Sequence, residues 1–229
     1  MATISWVVII ASGKEEMLNP ETCTAFLNLQ NRPILSYSLT AFEHCPDIEH
    51  VVVVAPRERL EQVGSVVQLF GCHKVKKIVP GGTTQFQSFL NGLKYVDESA
   101  TQILLHEASR PFIHSADVSD LVKSMKRNGI VAAGHGLADD LVLVNKSGVV
   151  EDSVAAGSVW QIGTPLAMAR DVLDKLLKAV QKKKQNPKTL WEAAQAHHLA
   201  PKMVSMKAFP RKISSYDDVR HMEMVPVST

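Results

Sequence analysis

The run Val51-Val52-Val53-Val54 contains four consecutive β-branched residues and no polar residue. An alternating strand exposes one face, so an unbroken apolar run predicts a strand that is covered on both faces. Further strands are predicted at Val7–Ile10, Val75–Val79, Ile103–Leu105 and Ile130–Ala133. Strands of this kind are typical of a parallel sheet with helices on either side.

Amphipathic helical patterns separate these strands. One apolar stripe follows Pro33, a second predicts a helix over residues 84–95, and Ser115 can cap a third helix. Strands that alternate with helices of this length require crossover connections, which place helices on both faces of the sheet. We therefore predict an α/β fold with three layers, formed by residues 1–229 as a single domain.

Composition excludes several classes of protein. The 229 residues are 45% hydrophobic, and 25 Lys and Arg against 23 Asp and Glu leave a net charge of +2. This balance argues against a nucleic-acid partner. The apolar run Trp6–Ala11 is far shorter than a membrane span. Three widely spaced cysteines favour reduced thiols, so we expect a cytoplasmic protein without a membrane partner.

The pattern changes after Gly136. Leu141–Val144 and Val149-Val150 predict a hairpin that turns at residues 145–148, and residues 159–162 are expected to pair with it. This β excursion, residues 137–160, interrupts the alternation of strands and helices. It is predicted to form a β-arm that packs on a partner subunit.

The last third of the chain carries several local signals. Thr164-Pro165 predicts the first residues of a helix, and Thr189 predicts the start of another. Residues 203–206 predict a strand, and Ser215 with Asp218 predicts a capping box before the last helix.

Two glycine-containing loops follow predicted strands and could approach a ligand. Ala11-Ser12-Gly13 is a small-residue turn after the first strand, although it fits no known phosphate-loop motif. Gly81-Gly82 leads into a helix that carries Ser88. Backbone N–H groups in such turns can bind a phosphate or the edge of a base, but both segments also suit plain turns.

The segment from His106 to Pro111 carries more chemistry. Glu107 ends a buried strand, where a carboxylate can bind Mg²⁺, and Arg110 can bind a phosphate with two hydrogen bonds. An internal ion pair between Glu107 and Arg110 explains the same residues equally well. Cys23 and the pair His197-His198 are weaker candidates for a nucleophile and for metal ligands.

These loops occur in an order that resembles one enzyme family. The order is Ala11-Ser12-Gly13, Gly81-Gly82 with Ser88, Asn91-Gly92-Leu93, "LLHEASRP" at 104–111, Trp160, Thr164-Pro165 and Lys212. It is similar to the 2-C-methyl-D-erythritol 4-phosphate cytidylyltransferase family and its relatives acting on ribitol phosphate, over residues 5–222. The resemblance implies a Rossmann-like nucleotidyltransferase fold, a homodimer built by the β-arm, CTP as nucleotide substrate and Mg²⁺. It also implies that CMP is transferred to an alditol phosphate and that pyrophosphate is released.

The resemblance also implies roles for individual residues. Glu107 takes the position of the family's metal-binding carboxylate, while Arg110 and Lys212 match positions near the substrate phosphates. With Lys14, they are the candidate catalytic cations of this chain. The residues matched to nucleotide binding are Ala11, Ser12, Gly13, Gly82 and Ser88.

Several positions depart from the family's pattern in the part that binds the triphosphate. Glu15 and Glu16 stand where the family has a glycine and an arginine, and Thr24 stands where a lysine is expected. The other departures are Gln85, Asp140 and Ala156. Two hypotheses follow: a divergent cytidylyltransferase, or a non-catalytic relative that binds a nucleotide, a phosphorylated metabolite or a protein.

Overall fold

A computed structural model describes residues 3–206 and 211–224. The helices are α1 (Ile34–Glu43), α2 (Leu60–Leu69), α3 (Gln85–Leu93), α4 (Ser115–Met125), α5 (Arg170–Lys182), α6 (Leu190–Ala196) and α7 (Tyr216–Glu223). The strands are β1 (Ser5–Ile10), β2 (Met17–Asn19), β3 (Thr22–Cys23), β4 (Asn28–Leu29), β5 (Arg32–Pro33), β6 (His50–Ala55), β7 (Val75–Pro80), β8 (Gln102–Glu107), β9 (Ile130–Gly136), β10 (Leu141–Val144), β11 (Val150–Val154), β12 (Trp160–Ala169) and β13 (Lys202–Ser205).

A central seven-stranded sheet has the order β13-β9-β12-β8-β1-β6-β7. All neighbours pair in parallel except β12, which is antiparallel to both β8 and β9. The five predicted strands lie in this sheet, and the prediction of a mostly parallel α/β sheet is confirmed.

Helices cover both faces of the sheet. Val7, Ile9 and Val53 point towards α1, α2 and α4, whereas Val8 and Val54 point towards α3, α5 and α6. Each of these five side chains is fully buried, which explains why the strands lack polar alternation. The three predicted layers are therefore present.

The prediction that Thr164-Pro165 starts a helix is wrong. Both residues lie inside β12, joined by a cis peptide bond, and α5 begins at Arg170. Residues 166–168 pair with β8 on one side and with β9 on the other. These long-range hydrogen bonds fix an extended backbone that the local Thr-Pro signal does not reveal.

The β-arm also differs in part from expectation. Strands β10 and β11 form the predicted hairpin, but Trp160–Ile162 pairs with Gly134–Gly136 of β9 rather than with the hairpin.

At α4, His114 is the N-cap residue instead of Ser115. The caps Thr189 and Ser215, the latter with its capping box, are confirmed. Within the described ranges, no helix has the length and apolar character required to cross a membrane.

Candidate active site

The loops after β1 and β7 meet at the carboxyl edge of the sheet. Ser12 Oγ lies 3.0 Å from Ser88 Oγ, which also accepts a hydrogen bond from the backbone N–H of Gly82 at 3.0 Å. A Cβ atom at Gly81 would lie only 1.8 Å from Ser12 Oγ, so this close approach requires glycine. Three of the predicted nucleotide-binding residues, Ser12, Gly82 and Ser88, are thus brought together.

The first loop continues onto the N-terminus of α3. Gly13 has φ 102°, and a Cβ atom there would lie 3.1 Å from the carbonyl carbon of Thr84. Glu15 Oε2 accepts a hydrogen bond from the backbone N–H of Gln85 at 3.0 Å. The first N–H groups of a helix favour an anion, and here the chain's own carboxylate is that anion. Lys14 is exposed, and its backbone N–H bonds to Thr83 O.

Glu107, the last residue of β8, is surrounded by hydrogen-bond donors. Its Oε1 accepts from Lys212 Nζ at 2.7 Å and from Gln85 Nε2 at 3.1 Å, and its Oε2 accepts from Arg110 Nε at 2.7 Å. The Glu107–Arg110 ion pair, left open by the sequence, is therefore present. Burial alone would raise the pKa of Glu107, but Lys212 and Arg110 together lower it to about 2.

Glu16 lies inside the protein rather than facing the loop opening. It is 1% exposed, and Ser109 donates to it twice, from the backbone N–H at 2.9 Å and from Oγ at 2.8 Å. Burial raises the pKa of Glu16 to about 7, although the nearby Lys212 opposes this shift. From the sequence, Glu16 was expected to face the phosphates. Its hydrogen bonds to Ser109 instead connect the first loop to the loop after β8.

Lys212 reaches this cluster from the C-terminal segment. The backbone N–H of Ile213 bonds to Ser109 O at 2.8 Å, and the Ile213 side chain is buried with residues of α1 and α7. Burial alone would lower the pKa of Lys212, but the carboxylates of Glu16 and Glu107 raise it above its usual value. Lys212 therefore stays charged although it is largely covered.

A small cavity opens beside Glu107. Its polar lining residues are Gln85, Glu107, Arg110, Thr164 and Thr189, and its apolar lining residues are Leu105, Ile162, Leu166 and Trp191. Thr164 Oγ1 accepts a hydrogen bond from the backbone N–H of Glu107 at 3.0 Å. Gln85 Oε1 accepts from Leu190 N at 3.1 Å, which links α3 to α6.

Sequence reasoning missed the part that Thr164, Thr189 and Trp191 play in this cavity. Thr164 and Thr189 carried only helix-start signals, and Trp191 carried none. They meet because β12 lies next to β8 and because α6 packs near α3. The departure at Thr24 is buried in a short 3₁₀ helix, and Ala156 N donates to Asp140 Oδ1 at 3.0 Å near the base of the hairpin.

The donors around Glu107 do not fit a resident Mg²⁺. Mg²⁺ prefers about six oxygen ligands, but both carboxylate oxygens of Glu107 already accept from cationic side chains. Within residues 3–206 and 211–224, no group of three or more His, Cys, Asp or Glu is arranged to hold a metal ion. Glu107 as a magnesium ligand stays a prediction from the resemblance.

The family model for 2-C-methyl-D-erythritol 4-phosphate cytidylyltransferase matches residues 5–225. The chain belongs to this family. The cytidylyltransferase of Clostridium botulinum strain Okra is 31% identical over 159 residues, which are 69% of each chain. That of Alkaliphilus metalliredigens is 27% identical over 176 residues, covering 76% of this chain and 73% of the relative.

Solved structures support the same fold for this cytidylyltransferase-family chain. The 4-diphosphocytidyl-2C-methyl-D-erythritol synthase of Anaerococcus prevotii superposes with a TM-score of 0.83 at 16% identity, covering 96% of this chain and 95% of that one. The cytidylyltransferase of Thermus thermophilus gives 0.71 at 20% identity, with coverage of 97% and 98%. The resemblance read from the sequence motifs is confirmed at the level of family and fold.

Proposed function

We propose that this chain transfers CMP from CTP to a small alditol phosphate of the methylerythritol phosphate type. Membership of the family and the names of its relatives support the reaction class. The observation that carries the proposal is the Glu107 carboxylate, which holds Arg110 and Lys212 at 2.7 Å each beside a cavity lined with polar groups.

The nucleoside binds, in this proposal, to the first and second loops. Ser12, Gly82 and Ser88 already form one hydrogen-bonded group there, next to the backbone of Ala11 and Gly13. A base edge can exchange hydrogen bonds with these hydroxyl and amide groups. Glycine at positions 13 and 82 lets the two loops pack closely on α3, because a Cβ atom would lie 3.1 Å from Thr84 C at Gly13 and 2.6 Å from Gln87 Cβ at Gly82.

The alditol phosphate occupies the cavity beside Glu107. Thr164, Thr189 and Gln85 offer hydrogen bonds to its hydroxyl groups, and the rings of Trp191 form one wall. Arg110 and Lys212 lie where they can stabilise the acceptor phosphate. An oxygen of that phosphate forms a bond to the α-phosphorus of CTP, the bond between this phosphorus and the α–β bridging oxygen breaks, and pyrophosphate leaves.

The leaving pyrophosphate is the weakly stabilised part of this reaction. Glu15 carries its negative charge at the N-terminus of α3, and Lys14 is the basic side chain next to it in the loop. A carboxylate ~4 Å from a phosphate oxygen is repulsive by up to ~4 kcal/mol at an effective dielectric constant of 20. Loss of one stabilising donor costs about 10²–10³ in rate, so we expect slow turnover.

The same contact favours a second candidate function. Glu15 accepts the hydrogen bond from the N–H of Gln85 that a triphosphate would otherwise accept. The chain can therefore keep its ligand pocket and yet lack catalysis. It would then bind a nucleotide, a phosphorylated metabolite or a protein partner.

A pyrophosphate-release assay with CTP, Mg²⁺ and methylerythritol phosphate separates the two functions. For a slow transferase we expect release well below ~1 per second, which is the lower end of the usual enzyme range, and its loss in Lys212→Gln and Glu107→Gln. Lys175→Gln, an exposed position on α5, is the matched control and should retain the rate. Identical background release from all four proteins contradicts the transferase, and equilibrium dialysis with CTP and with methylerythritol phosphate then tests the binding function.

We also propose that the chain forms a homodimer through the hairpin β10–β11. Six apolar residues of this hairpin and its turn are between 37% and 60% exposed: Leu141, Val142, Leu143, Val144, Val149 and Val150. Exposed apolar side chains concentrated in one hairpin are typical of a site of protein association.

A further inference from the structure

Lys212 lies between two buried carboxylates. Its Nζ atom is 2.7 Å from Glu107 Oε1 and 3.5 Å from Glu16 Oε1. The remaining oxygens of the two carboxylates are also occupied, Glu107 Oε2 by Arg110 Nε and Glu16 Oε2 by Ser109 N. One ammonium group thus bridges two acidic side chains, Glu16 from the loop after β1 and Glu107 from the end of β8.

The ammonium group of Lys212 lies between the two carboxylates, where one cation can neutralise both. Two acidic side chains this deeply buried need a counter-charge, because an unpaired buried charge is strongly unfavourable. Above about pH 7, where Glu16 is ionised as well as Glu107, Lys212 and Arg110 provide two positive charges for the two carboxylates. The other close groups are the N–H and the hydroxyl of Ser109 and the amide N–H of Gln85, which donate hydrogen bonds to the carboxylates and add no further negative charge.

We propose that Lys212 is the resident cation of this site. It neutralises Glu16 and Glu107, as a divalent metal ion bound between them would. These two carboxylates therefore do not bind Mg²⁺ while Lys212 is present. The inference concerns ion pairs within the chain, so it holds whether or not the chain transfers CMP.

Removal of the ammonium group should create a metal site. In Lys212→Ala, the carboxylates of Glu16 and Glu107 face the space that Nζ filled, without the charge that held them together. A divalent cation can enter that space and bind one oxygen from each. In Lys212→Arg the positive charge remains, so no such site is expected.

The test is a titration of the full chain with Mn²⁺ alone, in which the magnetic resonance signal of free Mn²⁺ reports binding. We expect Lys212→Ala to bind Mn²⁺ at least about tenfold more tightly than the unchanged chain, a difference of ~1.4 kcal/mol. The double variant Glu16→Gln/Lys212→Ala should lose this gain, because only one carboxylate remains. Lys212→Arg should behave like the unchanged chain.

Two results would overturn the proposal. One is that the unchanged chain binds Mn²⁺ and that Glu107→Gln abolishes this binding. The other is a folded Lys212→Ala protein that binds Mn²⁺ no better than its parent. If Lys212→Ala is too unstable to titrate, its melting temperature provides the second measurement: Mn²⁺ should raise it, and the absence of any rise counts against a latent metal site.

Discussion

Glu15 Oε2 lies 3.0 Å from the backbone nitrogen of Gln85, the first residue of α3. The contact joins the loop after β1 to the helix after β7 with a negatively charged group. Gly13, which lies between β1 and Glu15, packs against the same peptide unit of Thr84 and Gln85. The N-terminus of α3 is thereby closed to an outside anion by a side chain from the neighbouring loop.

Replacement of Glu15 by Gln should strengthen CTP binding. The amide keeps the size of the side chain but removes the charge that repels the triphosphate and competes for the Gln85 N–H. We expect a fall in the dissociation constant of about fivefold to fiftyfold, corresponding to roughly 1–2 kcal/mol. Calorimetric titration with CTP measures it. Glu21→Gln, an exposed glutamate near the turn between β2 and β3, is the control, and an equal gain there would show a general charge effect.

Glu16 should make stability depend on pH. Burial raises the pKa of Glu16 from its ordinary value of 4.5 to about 7, so the folded state holds the proton more tightly than the unfolded chain. Stability from this group is therefore complete below about pH 4.5 and declines as the pH rises to about 7, by at most ~3 kcal/mol. Urea unfolding at several pH values should show a flatter profile for Glu16→Gln. An unchanged decline in that variant would assign it to other groups.

The packing of α3 on the sheet should not tolerate a methyl group at Gly92. A Cβ atom there would lie 2.5 Å from Val8 Cγ1 and 2.8 Å from Val54 Cγ2, two fully buried side chains. We expect Gly92→Ala to lower the free energy of unfolding by about 1–2 kcal/mol, because overpacking exceeds the gain in helix propensity. In Gly64→Ala, on α2, the new methyl group meets only Ile78 Cδ1 at 4.0 Å. That control should be neutral or slightly stabilising in the same urea titration.

The hairpin should determine the oligomeric state. We expect light scattering to give about twice the 25.1 kDa mass of one chain, and Val142→Glu/Leu143→Glu to give the mass of a monomer. The two residues are 51% and 58% exposed and adjacent in β10, so the change should not disturb a core. Leu69→Glu removes an apolar residue of α2 that is even more exposed, at 77%, and should leave the mass unchanged. A monomer in the unchanged chain contradicts the proposal.

The central strands were predictable because an unbroken apolar run indicates a strand that is buried on both faces. Val51–Val54 is covered by helices on both sides, and every one of its side chains is buried. Thr164-Pro165 misled because a threonine before a proline gives the same local signal at a helix start and in an extended segment. Pairing with β8 and β9 decided the outcome, and no local pattern encodes that pairing.

In the candidate site, too, contacts between residues close in sequence were predictable, whereas contacts between distant residues were not. Glu107 and Arg110 are three residues apart, so their proximity could be expected, and Lys212 could be placed only through the family resemblance. Gln85 lies on α3, whereas Thr189 and Trp191 lie at the start of α6, and they meet because the two helices pack together. The direction of Glu16 was also beyond the sequence, because it depends on hydrogen bonds to Ser109, 93 positions further along the chain.

Ser109 has a consequence for the order in which the molecule is completed. Its N–H and hydroxyl hold Glu16 near the beginning of the chain, and its carbonyl holds Ile213 near the end. The sheet can form from residues up to 205, but the cluster around Glu107 closes only when the C-terminal segment docks. During synthesis the cluster can close only after Lys212 and Ile213 have left the ribosome. A protein truncated before Arg211 should therefore fold its sheet yet leave Glu16 and Glu107 without their shared lysine.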